Sequence, residues 1–396
     1  MLDLLNSVIL LGMVQGAALA AVLAARKKDR VANRILAALV GAISLMLLFG
    51  LLQRRWGLTS NPHLLGLGIP LPFLLGPLLY LYVVALTRPA ARFEARWLVH
   101  GFPFAVDVLY TSQIFYLRSG TEKLALVEAY RAGQIPPSLR LVEVLLVVQA
   151  MSYLVASFFA LRRYARKIEG YFSDLARIDL RWLMAMVLAH ATVWSIVTAT
   201  TLLRTAGFAP ASLEGFSQAI QFGSAAVVFL TGYMSLWQPA LFEKAQAARV
   251  AEPEPEAAPR PLPKYQRNRL DDDDAAELAR KLKARMEDGK LYRDATLTLQ
   301  MLADEVGATP HMLSQVLNLQ VGKSFFVFVN SYRAEALMAA LADPSQRHRG
   351  VLELALEAGF NSKSTLNSFF KRYTGRTPSE FRLLRATAKT AGISTS

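Results

Sequence analysis

The chain has 396 residues, 53% hydrophobic and 19% charged, with a formal net charge of +14 and no cysteine. The apolar excess argues against an ordinary soluble enzyme, and the missing cysteines exclude a disulfide frame, a thiolate metal site and a cysteine nucleophile. The positive charge calls for an anionic partner, either nucleic acid or anionic lipid headgroups.

Seven apolar runs fill the first 240 residues, at about Leu2–Ala25, Ile35–Leu52, Leu64–Leu86, Leu98–Leu117, Leu139–Leu161, Trp182–Leu203 and Phe216–Trp237. Each has roughly the 20 residues that a helix needs to cross a hydrocarbon core. The first run is not built like a signal peptide, whose positive charge precedes its apolar region. Here Asp3 precedes it, and Arg26, Lys27, Lys28, Arg30 and Arg34 follow. The loops after the first, third and fifth runs hold 5, 3 and 6 basic residues, those after the second, fourth and sixth 2, 4 and 1, counting Arg140 at the edge of the fifth run with the fourth loop. Basic loops stay in the cytoplasm, so the expected topology is multi-pass, with the N-terminus outside and the C-terminus cytoplasmic.

A few polar residues interrupt these runs. Asp107 falls near the middle of the fourth, beside Pro103, and His190 lies in the sixth with Thr192, Ser195, Thr198 and Thr201. Ionisable groups inside a membrane face the bundle interior or a cavity. Asp107 and His190 are therefore candidates for intramembrane sensing, with helix–helix hydrogen bonding as the structural alternative. Glu143 sits near a span end and reads as interfacial. The prolines of "GIPLPFLLGPLLYLYV", Pro70, Pro72 and Pro77, predict a kink in the third span.

Residues 241–270 read as a linker, and "AEPEPEAAPRPLP" at Ala251–Pro263 as an extended proline-rich spacer. Residues 271–288 read as a juxtamembrane helix. It opens with Asp271–Asp274, suited to the positive end of a helix dipole rather than to a metal, and carries Leu278, Leu282 and Met286 on one face. Such a face could mediate self-association.

Residues 290–390 hold two copies of one pattern. In "LQMLADEVGATPHMLSQVLN", Leu302, Ala303 and Val306 form a short helix face, Gly307 turns the chain, Thr309 caps and Pro310 opens the next helix. Leu313, Val316 and Leu317 then face inward and leave His311, Ser314 and Gln315 outside. In "VLELALEAGFNSKSTLNSFFKRYTGRTPSEFR", Leu354, Ala355 and Ala358 form the face, Gly359 turns and Ser362 caps. There Leu366, Phe369 and Phe370 go inward, while Lys363, Ser364, Asn367, Ser368 and Lys371 go outward. Short helix, glycine turn and helix with a polar free face make a helix-turn-helix pattern. Positions correspond at an offset of 52 before the turn and 53 after it, so the second turn has one extra residue. Phe325–Leu341 reads as a connecting helix, and Thr377-Pro378-Ser379-Glu380 as a capping box. From Lys363 to Lys389 there are seven basic residues against one acid, Glu380, a balance suited to phosphates.

The segment from about Leu291 to Arg382 resembles the DNA-binding domain of the AraC/XylS family of bacterial transcription regulators, on "ALEAGFNSKSTLNSFFKRYTGRTPSEFR" and on "LADEVGATPHMLSQVLN…GKSF". It departs from that family at Leu366, where many members have phenylalanine, and at Ser368, where arginine is frequent. The seven apolar runs, with "YFSDLARIDLRWL" before the sixth, resemble a membrane-embedded subgroup of these regulators. The resemblance implies two recognition helices in successive major grooves of promoter DNA. It implies base contacts from His311, Ser314, Gln315, Lys363, Ser364 and Ser368, and phosphate contacts from Thr365, Lys371 and Arg372.

The expected fold is all-α: a seven-helix transmembrane bundle, then a soluble all-α domain of two helix-turn-helix units. The expected function is a one-component regulator in the bacterial inner membrane. Its partners would be double-stranded DNA, the lipid bilayer, RNA polymerase, a second copy of the chain and an unidentified signal ligand, with no cofactor. The competing readings are a transporter or channel with a basic regulatory tail, and a non-specific DNA–membrane tether. No nucleophile elbow, phosphate loop, metal-ligand cluster or nucleotide fingerprint supports an enzyme.

Overall fold

The computed structural model describes residues 2–27, 29–55, 61–88, 93–175, 180–208, 213–250 and 272–390. The fold is all-helical, and it divides into two compact units. The first holds Met1–Arg163 and Leu180–Pro239; the second holds Tyr164–Asp179 and Ala240–Ser396.

The helices of the first unit are α1 (Leu2–Ala25), α2 (Arg30–Arg55), α3 (Pro72–Thr87), α4 (Phe102–Thr111), α5 (Gly120–Arg131), α6 (Pro137–Glu169), α7 (Arg181–Thr205) and α8 (Glu214–Val250); α6 and α8 run on into the second unit. Helix α1 packs on α2, and α2 on α3. Small residues permit close approach, as is common between apolar helices: Gly12 meets Ala225, and Gly76 meets Tyr153. Stretches Asn6–Ala25, Arg30–Gln53, Pro137–Glu169 and Arg181–Thr205 are each long and apolar enough to cross a membrane.

Two of the expected spans differ from a single long helix. The third begins its α-helix only at Pro72, after turns and a short 3-10 segment, and has 16 residues. At 1.5 Å per residue that is ~24 Å, short of a ~30 Å core. The fourth is a 3-10 segment (Ala95–Gly101), then α4, then a π turn (Ser112–Tyr116). Pro103, at the start of α4, has no N–H to continue the preceding ladder. Helix α5 was not expected from the sequence; Ser119 and Glu122 close a capping box at its start. Helix α8 extends to Val250, into the stretch expected to be linker. The proline-rich segment Ala251–Pro263 lies outside the described residues, as does Asp271.

The second unit contains α9 (Asp272–Glu287), α10 (Leu299–Val306), α11 (Pro310–Val316), α12 (Phe325–Ala342), α13 (Val351–Glu357), α14 (Lys363–Thr374) and α15 (Pro378–Thr390). Two apolar cores flank α12. The first gathers Leu302, Leu313, Val316, Leu317 and Phe328; the second gathers Leu354, Phe360, Leu366, Phe369 and Phe370. Helix α12 has the length and composition of a membrane span, yet it is the common wall of both cores, carrying Phe328 into one and Leu337 into the other. The apolar face of α9 is occupied as well. Ala275, Leu278, Leu282 and Met286 are buried in the first core, so this face is spent within the chain and is not free for self-association.

Candidate nucleic-acid interface

Both helix-turn-helix units form where the punctuation residues require. In the first, Gly307 ends α10 in the left-handed region at φ 67°, and the Thr309 hydroxyl accepts from the Met312 N–H at 3.2 Å. In the second, Gly359 turns at φ 95°, and the Ser362 hydroxyl accepts from the Thr365 N–H at 3.0 Å. The caps satisfy amides that the first helical turn leaves without partners. Thr377 and Glu380 close the expected capping box of α15: Thr377 N–H donates to Glu380 Oε2 at 2.8 Å, and Glu380 N–H to Thr377 Oγ1 at 3.3 Å.

The inward residues Leu313, Val316, Leu317, Leu366, Phe369 and Phe370 are all buried. That fixes which faces of α11 and α14 remain free. His311, Lys363, Ser364 and Ser368 are exposed, and Ser314 and Gln315 are half-buried. Ser314 and Ser368 take part in local hydrogen bonds. Asn318 Nδ2 donates to the Ser314 main-chain oxygen at 2.8 Å, and Ser368 Oγ donates to Thr365 O at 3.3 Å. Lys371 and Arg372 are exposed in the last turn of α14, with the Arg372 guanidinium 5.4 Å from the centroid of the Phe369 ring.

Thr365 differs from the other residues assigned to DNA. It is 6% exposed, and its hydroxyl donates to Asp174 Oδ1 at 3.0 Å. Asp174 belongs to "YFSD", the segment before the sixth apolar run, which is part of the second unit. Sequence reasoning gave this segment no role in the domain. Here it lies along the domain as a short strap. Phe172 forms an antiparallel bridge with Thr298. The Leu299 N–H donates to Tyr171 O at 3.0 Å. Ser173 is 1% exposed and donates to Leu297 O at 2.6 Å. Tyr171 packs on the first core and Leu175 on the second.

Beneath the strap lies Arg333 of α12, fully buried. A guanidinium has five N–H donors, and each has an acceptor. Nε donates to Tyr292 O at 2.7 Å; Nη1 to Ser173 O at 3.2 Å and to Asn330 Oδ1 at 3.3 Å; Nη2 to Ser173 Oγ at 3.1 Å and to Asp294 O at 2.8 Å. Asn330, also fully buried, donates to the same Ser173 O at 2.8 Å. Burial pulls the Arg333 pKa down to about 10, opposed by the carboxylates of Asp174 and Asp294; it stays a cation at neutral pH.

The two intramembrane candidates are not brought together by any hydrogen bond or ion pair. Asp107 is 3% exposed, and neither carboxylate oxygen has a hydrogen-bond partner among the described residues. His190 is buried, with Nδ1 2.9 Å from Met186 O. Thr192, Ser195 and Thr198 each donate to the carbonyl one turn back on α7, so their polarity is satisfied within the helix. Glu143 instead pairs with Arg204 at 2.7 Å, and Tyr130 donates to the same carboxylate at 3.1 Å. Among the described residues no group of three or more His, Asp or Glu is placed to hold a metal ion.

No curated protein and no solved structure matches the chain. Residues 302–383, which span both helix-turn-helix units, match a family described as a helix-turn-helix domain, of the AraC type. This match supports an AraC-type DNA-binding domain in the second unit, the kind of domain that DNA-binding transcription regulators carry.

Proposed function

We propose that the protein is a membrane-bound one-component regulator: its apolar helices hold it in the cytoplasmic membrane and sense a signal, and its second unit reads promoter DNA. The observation that carries this reading is the free face of α14, where Lys363, Ser364 and Ser368 are exposed and Lys371 and Arg372 extend the positive charge. The same chain carries four stretches between Asn6 and Thr205 long and apolar enough to cross a bilayer.

In this mechanism α11 and α14 enter successive major grooves, about one helical turn apart. The side-chain amide of Gln315 pairs with an adenine edge, and Lys363 donates to a guanine. His311, Ser314, Ser364 and Ser368 are the remaining base-edge contacts. Lys371 and Arg372 neutralise phosphates and fix the register without reading sequence. Thr365 is engaged with Asp174 and contributes through the shape of the helix start rather than by direct phosphate contact. A signal acts by binding two states of the membrane helices unequally, with Asp107 and His190 as candidate residues. RNA polymerase and a second copy of the chain are the expected protein partners on the promoter.

The test uses the full chain in lipid nanodiscs and selection from a random DNA pool near ~150 mM salt, where non-specific binding is weak. A sequence-specific regulator enriches a motif with two half-sites. A mere tether binds without enrichment. Extraction of cell membranes with alkaline carbonate checks the other half: the protein stays with the pellet if its helices span the bilayer.

A further inference from the structure

We infer that the strap Tyr171–Leu175 is a working part of the DNA-binding domain: it clamps the two helix-turn-helix units in the relative orientation that DNA requires, with Ser173 as the positioning residue. The inference rests on the DNA-reading role proposed above.

The two units have separate cores, joined through α12. Two reading helices that must enter successive grooves need a fixed spacing and angle between them. The strap touches all the parts that set it. Tyr171 lies on the first core and Leu175 on the second. Phe172 pairs with Thr298, the cap of α10. Ser173 holds the buried Asn330 and Arg333 of the connecting helix. Asp174 accepts from Thr365 in the first turn of α14, where a carboxylate suits the helix dipole. The strap is also the chain between α6 and α7, two helices long and apolar enough to span a membrane. Any change in those helices that shifts the strap shifts both reading units together. Withdrawal would leave one Asn330 amide hydrogen and two donors of Arg333 without their acceptors, the other Asn330 hydrogen staying on Phe326 O, so the domain favours the docked strap.

The test exploits the absence of cysteine. Full-length wild type and Tyr171→Ala/Leu175→Ala are compared in nanodiscs on DNA selected by the wild type, with zero, one or two base pairs inserted between the half-sites. A parallel pair of proteins carries Phe172→Cys/Thr298→Cys, which can cross-link the strap at its β-bridge. Wild type is expected to lose at least about tenfold in affinity on two-base-pair insertion, because the half-sites leave their one-turn spacing. The released variant binds the original site roughly tenfold more weakly, yet discriminates the spacings by less than about threefold, because its units are no longer held at one angle. Oxidation of the cysteine pair in the Ala/Ala background restores the sharp optimum. A released variant that keeps the wild-type optimum overturns the inference. Equal loss at every spacing, or no recovery on oxidation, also overturns it and leaves the strap a folding element only. A wild-type chain with no sequence preference removes the DNA-reading proposal itself, and this inference with it.

Discussion

Arg333 and Ser173 share two hydrogen bonds across the chain: guanidinium Nη1 to the serine main-chain oxygen at 3.2 Å, and Nη2 to its hydroxyl at 3.1 Å. Both residues are buried. Ser173→Ala removes the acceptor for one guanidinium hydrogen and the donor to Leu297 O. A buried group left unpaired costs about 1–3 kcal/mol. Amide hydrogen exchange in α12 is expected to accelerate by a corresponding factor, while exchange in α1 and α2 stays as in wild type.

The two turn glycines face different surroundings. Gly307 has nothing within 4 Å of where a Cβ would lie, whereas at Gly359 the Tyr292 carbonyl, Arg293 Cα and Arg333 Nε fill the space. Gly307→Ala should cost only the left-handed backbone strain, about 1–2 kcal/mol. Gly359→Ala adds a collision with main-chain atoms that cannot step aside, and a loss above about 4 kcal/mol is expected. Thermal unfolding of the two full-length variants in nanodiscs, followed by protease sensitivity of the second unit, checks the ranking.

Charge on the free face of α14 sets the salt response of DNA binding. Lys371→Ala and Arg372→Ala are each expected to weaken all sequences alike and to flatten the slope of log affinity against log salt by about 1. Thr365→Val should leave that slope unchanged, because the hydroxyl is committed to Asp174. Binding titrations at four or more salt concentrations measure this.

Acid should loosen the second helix-turn-helix unit. Hydrogen bonds from Arg349 hold Glu353 and Glu357 below the ordinary carboxylate value of 4.5, and the Thr377 main-chain N–H does the same for Glu380. A carboxylate lowered by folding contributes stability that is present above 4.5 and is lost as pH falls through its folded value. Protection from hydrogen exchange in α13 and α15, relative to the intrinsic rate at each pH, is therefore expected to fall as pH drops below 4.5, and Glu380→Gln to remove the pH dependence at the start of α15.

The repeat was legible because its signals are local. Thr309 and Ser362 cap, Gly307 and Gly359 turn, and the inward residues recur at helical spacing; each is decided within four residues of sequence. The strap was not legible. Ser173 and Asp174 find their partners at Leu297, Asn330, Arg333 and Thr365, far along the chain, and a polar segment between two apolar runs looks like any loop. Its signal was the burst of aromatic and polar residues in "YFSD". Helix α9 shows the same limit: periodicity gave its apolar face but not the core that covers it. In the apolar half, composition located the runs, but the broken path from Ala95 to Tyr116 depends on Pro103 and on packing. Helix α12 shows why apolar length alone does not make a membrane span.

The central claim is that α11 and α14 read DNA sequence side by side. Hydroxyl-radical footprinting of the full-length protein in nanodiscs, on its selected DNA near ~150 mM salt, tests it most directly. The account predicts protection at two adjacent major grooves on one face of the duplex. Gln315→Ala should relax preference at one half-site and Lys363→Ala at the other, each by about 1–3 kcal/mol. Protection without a preferred site, unchanged by either substitution, would contradict it.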